Sequence, residues 1–456
     1  LSGFGERSVE KIRRSIQDYH KQGSRFHRAD AEQLIAGLLK HMEKAPGVDR
    51  LEVAGSFRRR KETVGDVDLL ASCDADGKAV VDHFAAFPGA VRVEAAGETK
   101  GNLILPSGLS VDLRVIPGES YGAALHYFTG SKEHNVRIRT MAVRKGLKVS
   151  EWGVFKAPRG ADPEAMAKEE GERLGGATEE EVYEAVGLPW MEPEIREDRG
   201  EFEAAAKGEL PKLLRVQDIR GDLHMHSTWS DGTASILEMA EACREKGYEY
   251  MAITDHSQAV TVAGGLTPER VRKQWDEVAE AQEVMGEGFR IFRGQEVDIL
   301  KDGSLDQPEE ILEALDLVII SVHSFMDMDR ASMTERVLRA VRHPQVNILA
   351  HPTGRILNRR KPYELDVEAV LETARECGVA VEVNAHPRRL DLNDVYLRRA
   401  REMGVKVVVN TDAHSVAGLD VIRFGVDQAR RGWLEARQVL NCGSAKAVSK
   451  WLSRSP

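Results

Sequence analysis

The sequence predicts an α/β protein built from separately organised regions, and three observations lead to that prediction. The chain has 456 residues, enough for about three domains of ordinary size. From Ile219 onward, short apolar runs repeatedly end in a His, Asp or Glu, and a helical stretch follows each run. In the first half, Asp66 and Asp68 alternate with apolar residues, and Asp112 stands in a later strand-like run. The first half is therefore expected to mix strands and helices, and the second to alternate them.

The composition limits the class of protein. With 42% hydrophobic and 30% charged residues, the chain is neither collagen-like, nor low in complexity, nor mostly disordered. Its longest apolar runs are far shorter than the roughly 18 residues of a membrane span, and charges at Glu6 and Arg7 interrupt any signal-peptide pattern. The net charge of −10 argues against a nonspecific polycation, although local basic patches could still bind nucleic acid. The four cysteines are widely spaced, which favours a reducing, cytoplasmic setting without a membrane partner.

Three carboxylates in the first half form a candidate metal site. The residues GDVDLL place Asp66 and Asp68 on one face of a strand, because side chains alternate along an extended chain. The later run LSVDLRVI, at 109–116, carries Asp112. Carboxylates on adjacent strands suit two Mg²⁺ or Mn²⁺ ions. An isolated Asp-x-Asp pair is more often surface charge, so the third Asp gives the pattern its specificity.

A glycine-arginine turn precedes these carboxylates. The residues AGSFRRR occupy 54–60, where a Gly55-Ser56 turn offers backbone N–H groups and Arg59 offers a cation. Both kinds of donor suit the phosphates of a nucleotide. Together with the carboxylates, this turn predicts nucleotidyl transfer.

A basic helical stretch follows at 125–146. Within an acidic protein, this stretch collects five basic residues on a helix, Lys132, Arg137, Arg139, Arg144 and Lys145. Such a run is usually a solvated face, but its position after the carboxylates favours contact with nucleic acid.

A segment rich in proline and acidic residues separates the two halves. It runs over 188–211 and has the composition of a connection rather than of a core element. We place the domain boundary near Gln217. The alternative is that this segment is only a long surface loop.

The second half contains seven β/α units, which predict a parallel barrel with its active site at the carboxyl ends of the strands. Helical periodicity at 234–246 and 367–377 separates strands, and Gly247 and Gly378 stand where helices would end. The seven runs end in DLHMH (222–226), MAITDH (251–256), IFRGQE (291–296), VIISVH (318–323), NILAHP (347–352), VEVNAH (381–386) and VVVNTDAH (407–414).

Nine side chains at these strand ends could bind metal. Any one of them would more often be structural, but nine at successive strand ends indicate a cluster of two or three ions, with Glu296 able to bridge a pair. Nitrogen and oxygen ligands without thiolate favour Zn²⁺ or Mn²⁺, and such a cluster suits phosphoester hydrolysis. His343 and His386 are interpreted as structural, and Asn384 is given no role. The nine are His224, His226, Asp231, His256, Glu296, His323, His351, Asp412 and His414.

The second half resembles the polymerase-and-histidinol-phosphatase (PHP) phosphoesterases through the motifs HMHSTWSDG, AITDHS, GQEVDI, SVHS, AHPTGR and NTDAHS. The resemblance implies up to three ions held by all nine positions. His224, His226, Glu296 and Asp412 would hold the first ion. Glu296, His323 and His351 would hold the second. Asp231, His256 and His414 would hold the third.

The first half resembles the palm and thumb of family X DNA polymerases, and a trailing PHP domain is similar to the bacterial members. By this resemblance Asp66, Asp68 and Asp112 are catalytic metal ligands, Asp112 helps to deprotonate the primer 3′ hydroxyl, and Arg114 supports the carboxylates. Arg139 would reach the template strand. The nucleotide would contact Gly55, Ser56, Arg59, Gly65, Tyr127, Phe128, Gly130 and Asn135, the last at the base.

The implied architecture is a nucleotidyltransferase-type α+β palm with a thumb, followed by a distorted (β/α)7 barrel. Residues 1–26 would be a partial helix-hairpin-helix of the fingers, where Gly3 and Gly5 let backbone N–H groups approach a DNA phosphate. An ordinary capped helix is the alternative there. The other implied domains are the palm at 27–120, the thumb at 121–192, the linker at 193–217 and the PHP domain at 218–456.

Family members normally begin with a small domain that binds the downstream 5′ phosphate, and nothing in this sequence corresponds to it. We therefore expect no lyase activity and weaker binding of gaps.

The sequence thus predicts a monomeric DNA repair polymerase that uses deoxynucleoside triphosphates on gapped or primer-template DNA. Its second half would be a metal-dependent 3′–5′ exonuclease, AP endonuclease or 3′ end-processing enzyme, acting in base excision repair. Two alternatives stay open: the second half is a small-molecule phosphatase, or the protein is a DNA-end-binding scaffold.

Overall fold

A computed structural model describes residues 25–453 of the chain. Gly3, Gly5 and the predicted helix-hairpin-helix lie outside these residues. The chain divides into two compact units, 1–210 and 211–456. Within residues 25–453, no helix combines the length and the apolar character needed to cross a membrane.

The first unit has a mixed sheet followed by a helical region with a small antiparallel sheet. Its elements are β1 (Phe26–His27), α1 (Arg28–Met42), β2 (Arg50–Val53), α2 (Gly55–Arg58), β3 (Thr63–Val64), β4 (Asp66–Ser72), α3 (Gly77–Ala85), β5 (Arg92–Ala96), β6 (Lys100–Ile104), β7 (Ser110–Ile116), α4 (Tyr121–Thr129), α5 (Lys132–Arg144), β8 (Leu147–Ser150), β9 (Gly153–Lys156), β10 (Glu172–Gly175), α6 (Glu179–Val186) and α7 (Glu201–Lys207), with 3-10 turns at Gly118–Ser120 and Pro193–Ile195.

The main sheet has the strand order β2-β4-β7-β6-β5, with β4 and β7 parallel at its centre. Alternation along β4 separates two kinds of side chain. Val67 and Leu69 are buried against helices α1 and α3 in the main core of this unit, whereas Asp66 and Asp68 lie on the opposite face. The hydrophobic pattern therefore fixes which face of the sheet carries the carboxylates.

The predicted linker differs from the structure over its first half. The segment after residue 192 forms the turn Pro193–Ile195 and helix α7, and it belongs to the first compact unit. Arg196 and Glu201 are fully buried there. Glu201 accepts a hydrogen bond from His134 Nδ1 at 2.8 Å, and Tyr183 OH lies 2.9 Å from His134 Nε2. The proline and acidic residues of this segment thus take part in a turn, a helix and buried hydrogen bonds, and the segment is not extended.

The second unit is the predicted barrel of seven parallel strands, adjacent in chain order from β11 to β17. Its elements are β11 (Gly221–Asp222), α8 (Ile236–Glu245), β12 (Tyr250–Ile253), α9 (Pro268–Met285), β13 (Arg290–Asp298), α10 (Glu309–Ala314), β14 (Leu317–Ser321), α11 (Arg330–Val341), β15 (Ile348–Leu349), α12 (Val367–Cys377), β16 (Ala380–Asn384), α13 (Asp394–Met403), β17 (Val407–Asn410), α14 (Ile422–Arg431) and α15 (Ala445–Leu452), with 3-10 turns at Val216–Asp218, Thr261–Ala263, Val416–Val421, Ala436–Gln438 and Leu440–Cys442.

The seam between β11 and β17 is closed by single contacts rather than by a continuous ladder. Met225 and Ala413 form an isolated parallel bridge near the carboxyl ends of the strands. Lower in the barrel, the buried Asn441 side chain donates to the carbonyls of Gly221 (2.8 Å) and Val409 (2.6 Å) and accepts from Val409 N (3.1 Å). This amide side chain thus bridges two strands that form no continuous backbone ladder with each other.

Candidate active sites

The three predicted carboxylates lie together on the main sheet of the first unit, on the face that points away from the hydrophobic core. Asp68 on β4 is directly opposite Asp112 on β7, and Asp66 precedes Asp68 by two residues on the same face. Burial, Asp66 and Asp112 raise the pKa of Asp68 to about 7, while Arg114 and Arg59 oppose that rise. Such mutual repulsion among carboxylates is relieved by divalent cations. The site therefore fits the predicted Mg²⁺ or Mn²⁺, with Arg114 close enough to support it.

Gly55 begins helix α2 directly against this carboxylate group. Its φ is +63°, and a Cβ built on it would lie 2.3 Å from Asp68 Oδ2. A side chain cannot occupy that space, so the backbone of the turn approaches the carboxylates closely. Ser56 follows on the same helix, and both Ser56 and Gly65 are half-buried. The predicted phosphate-binding turn therefore lies beside the predicted metal ligands.

Arg59 joins this turn to the end of helix α4. It donates to the carbonyl of Thr129 at 2.5 Å and to the carboxylate of Glu197 at 3.1 Å. Gly130 has φ +71°, and a Cβ on it would meet Arg59 Nη1 at 3.0 Å. The predicted phosphate ligand Arg59 and the predicted sugar contact Gly130 are therefore neighbours.

The remaining predicted nucleotide contacts follow on α4 and α5. The Tyr127 and Phe128 rings pack edge to face at 5.2 Å. Asn135 donates to the Tyr127 carbonyl at 2.7 Å, while its buried Oδ1 has no hydrogen-bond partner among the described residues. Tyr127 and Arg139 line a cavity of about 360 Å³. The structure thus brings these side chains to one region of the first unit.

The nine predicted ligands of the second unit converge at one end of the barrel. Glu296 belongs to β13, and the others lie on segments that follow the carboxyl ends of β11, β12, β14, β15 and β17. Ligand atoms in three groups lie within 4.8 Å of one another: His224, His226 and Asp412; His256, Glu296 and His323; and His226, Asp231, His256 and His414. Among the described residues, no other group of potential ligands is packed that closely. The carboxylates of Asp66, Asp68 and Asp112 are spaced more widely.

The distances place Glu296 at the centre of the cluster. Its Oε2 lies 3.4 Å from His224 Nε2, 3.6 Å from His226 Nε2 and 3.0 Å from His256 Nδ1. Its Oε1 lies 2.9 Å from His351 Nε2 and 3.5 Å from His323 Nε2. One carboxylate therefore faces five imidazoles, as expected of a bridging ligand.

Asp412 and Asp231 complete the cluster on either side. Asp412 Oδ1 lies 3.2 Å from His226 Nε2. Asp231 lies 3.7 Å from His256 Nε2 and 3.4 Å from His414 Nε2. His256 is thus near both Glu296 and Asp231, whereas the resemblance gave it to the third ion alone.

Unsatisfied buried atoms show that this cluster fits metal ions. His224 Nε2, both ring nitrogens of His226, His256 Nδ1 and Glu296 Oε2 are buried and lack a well-formed hydrogen bond to a described residue. Buried polar atoms without partners are costly, and a metal would satisfy those that point into the cluster.

The electrostatics agree with a cation site. Burial works against ionised Glu296, yet the surrounding His256, His323 and His224 hold its pKa well below the usual range. Burial and the neighbouring His256 lower the pKa of His226 to about 3, so its imidazole is neutral, the form that ligates metal. Neighbouring carboxylates instead raise the pKa values of His224, His256 and His414, and a bound cation would displace the protons from these imidazoles. Imidazole nitrogen together with carboxylate oxygen is the donor set of zinc and manganese sites.

A second layer of carboxylates and amides orients the ligands, and sequence reasoning missed it. The fully buried Glu382 accepts from His224 Nδ1 at 2.7 Å and from His351 N at 2.8 Å. Asp298 lies 3.1 Å from His323 Nδ1. Asn384, which was given no role, donates to Asp412 Oδ2 at 2.9 Å. A carboxylate alternating with valines in VEVNAH was the signal for Glu382, because an unpaired acid in a buried strand is costly.

Comparison with known proteins finds a family match in each of the two units. Residues 124–197 match the DNA polymerase beta thumb family, and residues 222–386 match the PHP domain family. The DNA polymerase/3′-5′ exonuclease PolX of Bacillus subtilis is 42% identical over 457 residues, which cover 100% of this chain and 78% of that protein. A probable phosphatase of Thermoanaerobacter sp. is 33% identical over 44% of this chain and 81% of its own length. The probable phosphatase YcdX of Escherichia coli is 30% identical over 42% of this chain and 78% of its own length.

A polymerase thumb and a PHP domain in one chain define a class of two-part nucleic-acid enzymes. Within that class, the chain belongs to the PolX family, the family X DNA polymerases with a PHP domain.

Proposed function

We propose that this protein is a DNA-directed DNA polymerase that fills short gaps during base excision repair. Its PHP unit removes nucleotides or blocked groups from 3′ ends, as a 3′–5′ exonuclease, AP endonuclease or end-processing enzyme. The observation that supports this most strongly is the presence of two separate constellations, three carboxylates in one compact unit and an imidazole-rich cluster in the other.

In the palm, Asp66, Asp68 and Asp112 would hold Mg²⁺ or Mn²⁺, which activates the primer hydroxyl and stabilises the leaving pyrophosphate when bound. The raised pKa of Asp68 agrees with a set of neighbouring carboxylates that binds a cation. Asp112 would help to take the proton from the primer 3′ hydroxyl. Gly55, Ser56, Arg59 and Gly65 would contact the triphosphate. Tyr127, Phe128, Gly130 and Asn135 would contact the sugar and base, and Arg139 the template.

In the barrel, the nine ligands would hold up to three ions, Zn²⁺ or Mn²⁺, which neutralise a phosphate and lower the pKa of a bound water when present. The chain's own part is to fix these side chains. Glu382 and Asp298 hold His224 and His323 in place, and Asn384 holds Asp412. Hydrogen bonds of this kind, made to the residues that bind a metal, raise the affinity of the site for the metal.

The experiment that tests this assignment uses two variants and two assays on gapped DNA. The Asp66→Ala/Asp68→Ala variant is expected to lose primer extension and keep 3′–5′ degradation. The His226→Ala variant is expected to do the reverse. Loss of both activities in either variant would contradict independent sites.

A small-molecule phosphatase is a second candidate for the barrel, because relatives named probable phosphatases match 44% of the chain over 81% of their own length. Hydrolysis of p-nitrophenyl phosphate without degradation of 3′-ended DNA would favour this candidate. The scaffold alternative requires sites that bind no metal, so metal analysis of the purified protein tests it.

The protein would act as a monomer in the cytoplasm on gapped or primer-template DNA with deoxynucleoside triphosphates. The wide spacing of the four cysteines is the sequence feature that favours a reducing setting.

A further inference from the structure

Two loops at the carboxyl end of the barrel concentrate positive charge beside the metal cluster. The first loop, 352–363, follows His351, and the second, 386–392, follows β16. Together they carry one acidic residue, Asp391, in a chain whose net charge is −10. Their basic residues are Arg355, Arg359, Arg360, Lys361, Arg388 and Arg389. We call these residues the basic rim.

Buried contacts fix the two loops to each other. Asp391 is fully buried and accepts from Thr353 N and Thr353 Oγ1, both at 2.9 Å. Leu357 N donates to the Arg388 carbonyl at 2.7 Å. Tyr363 OH donates to the Pro352 carbonyl at 2.6 Å. The rim is therefore a preorganised surface, and ordering it on binding would cost little.

Part of the rim is available to a ligand. Arg359, Lys361 and Arg388 are exposed, and their side chains make no hydrogen bond or ion pair with any residue of 25–453. Arg360 instead donates to the Gly354 carbonyl at 2.9 Å and helps to shape the loop. Burial and the neighbouring Arg389 and Arg359 lower the pKa of Arg360, although Asp391 acts in the opposite direction, so several cations lie close together around this loop. Crowded cations of this kind are stabilised by an anionic ligand.

The rim adjoins the cluster at two points. Arg389 Nε lies 3.7 Å from Asp412 Oδ2, and His351 immediately precedes the first loop. One phosphate at the metals would need one or two cations, whereas further exposed cations on the same two loops suit the additional phosphates of a strand.

We propose that Arg359, Lys361 and Arg388 bind backbone phosphates of the DNA strand whose 3′ end lies in the metal cluster. The inference rests on the proposed nuclease function of the barrel. To that function the inference adds the residues that make the barrel prefer a polynucleotide to a single phosphate ester.

The test compares two triple variants of the full chain. Arg359→Ala/Lys361→Ala/Arg388→Ala removes the free rim cations. Arg244→Ala/Lys273→Ala/Lys446→Ala removes three exposed cations from helices α8, α9 and α15 and changes the net charge equally. Each is assayed on a 5′-labelled single-stranded oligonucleotide and on the p-nitrophenyl ester of thymidine 5′-monophosphate, over a range of salt concentrations. Bound metal per chain is measured as well.

The rim variant is expected to degrade the oligonucleotide with a kcat/KM lower by about tenfold or more at physiological salt. Its slope of log kcat/KM against log salt should be shallower by about 2, because about 0.7 counterion is released per single-strand phosphate. Ester hydrolysis and bound metal should stay at the wild-type level, and the control variant should match the wild type throughout.

Three results would overturn the inference, and they differ from one another. Equal degradation and equal salt slopes in both triple variants would remove the rim from DNA binding. Loss of bound metal or of ester hydrolysis in the rim variant would mean that the loops only support the ligands. A wild-type protein that hydrolyses the ester but no DNA would refute the proposed nuclease function itself.

Discussion

At the scale of the single residue, Gly55 shows how closely the palm backbone approaches its carboxylates. A Cβ at Gly55 would lie 2.3 Å from Asp68 Oδ2, so Gly55→Ala must displace either the turn or the carboxylate. We expect kcat/KM for nucleotide incorporation to fall by about 100-fold, the effect of misplacing reacting groups by about 1 Å. Single-turnover primer extension measures the loss.

The matched control is Gly37→Ala in helix α1, where the nearest atom to a new Cβ is Phe87 Cζ at 3.7 Å. This variant should extend primers normally and gain about 0.5–1 kcal/mol of stability from the helical alanine. Normal incorporation by Gly55→Ala would show that the turn does not need this close approach.

Glu382 is a residue-scale prediction in the barrel, where it touches ligands without being one. Glu382→Gln keeps the size of the side chain but weakens its hydrogen bond with His224, 2.7 Å long in the wild type. We expect the affinity for Mn²⁺ to fall by about 10- to 100-fold while activity at saturating metal largely recovers. A titration of nuclease activity with Mn²⁺ measures both quantities, with the exposed Glu376→Gln as the control. Loss of activity that excess metal does not restore would give Glu382 a direct chemical role.

At the scale of elements, a buried carboxylate joins helix α2, helix α6 and the segment after residue 192. Glu179 accepts from Arg58 at 2.8 Å, from Arg196 at 2.5 Å and from Trp190 Nε1 at 3.0 Å. Glu179→Gln leaves two guanidinium groups facing each other with Arg196 fully buried. We expect a loss of about 3–5 kcal/mol of stability, measured by urea unfolding. The exposed neighbour Glu180→Gln should cost almost nothing.

The same group predicts a pH dependence. Burial opposes ionisation of Glu179, but Arg196 and Arg58 outweigh it and hold its pKa well below the usual range. A lowered folded-state pKa stabilises the fold above the unfolded value of about 4.3, and that stability is lost as the pH falls toward the folded value. The difference between wild type and Glu179→Gln should therefore be full at neutral pH and shrink below about pH 4. A constant difference across this range would show that the carboxylate is not the source.

Elements whose pattern is local could be predicted from the sequence, and contacts made at long range could not. Apolar runs predicted all seven barrel strands, six of which lead to a predicted ligand, and the structure confirms the strands and brings those side chains together. Asp298 and Glu382 face their histidines only once the barrel closes, and nothing next to them in the sequence indicates those partners. The fold of 193–207 was missed for the same reason, since Glu201 and Arg196 find their partners on other elements.

At the scale of the whole molecule, two compact units contain separate hydrophobic cores, one under the palm sheet and one around the barrel. Metal bound by the barrel should stabilise that unit alone, by mass action. We expect two thermal transitions in calorimetry. EDTA should lower one of them, and Glu179→Gln should lower the other by about 10 °C. If both treatments move the same transition, the two units do not unfold independently.

The Asn441 amide that bridges β11 and β17 also has a consequence for folding during synthesis. While residue 441 is still inside the ribosome, the first and last barrel strands of the nascent chain lack this contact. The residues of the first unit have already emerged by then. This contact across the seam can therefore form only after residue 441 has been synthesised, whereas the first unit is complete at residue 210.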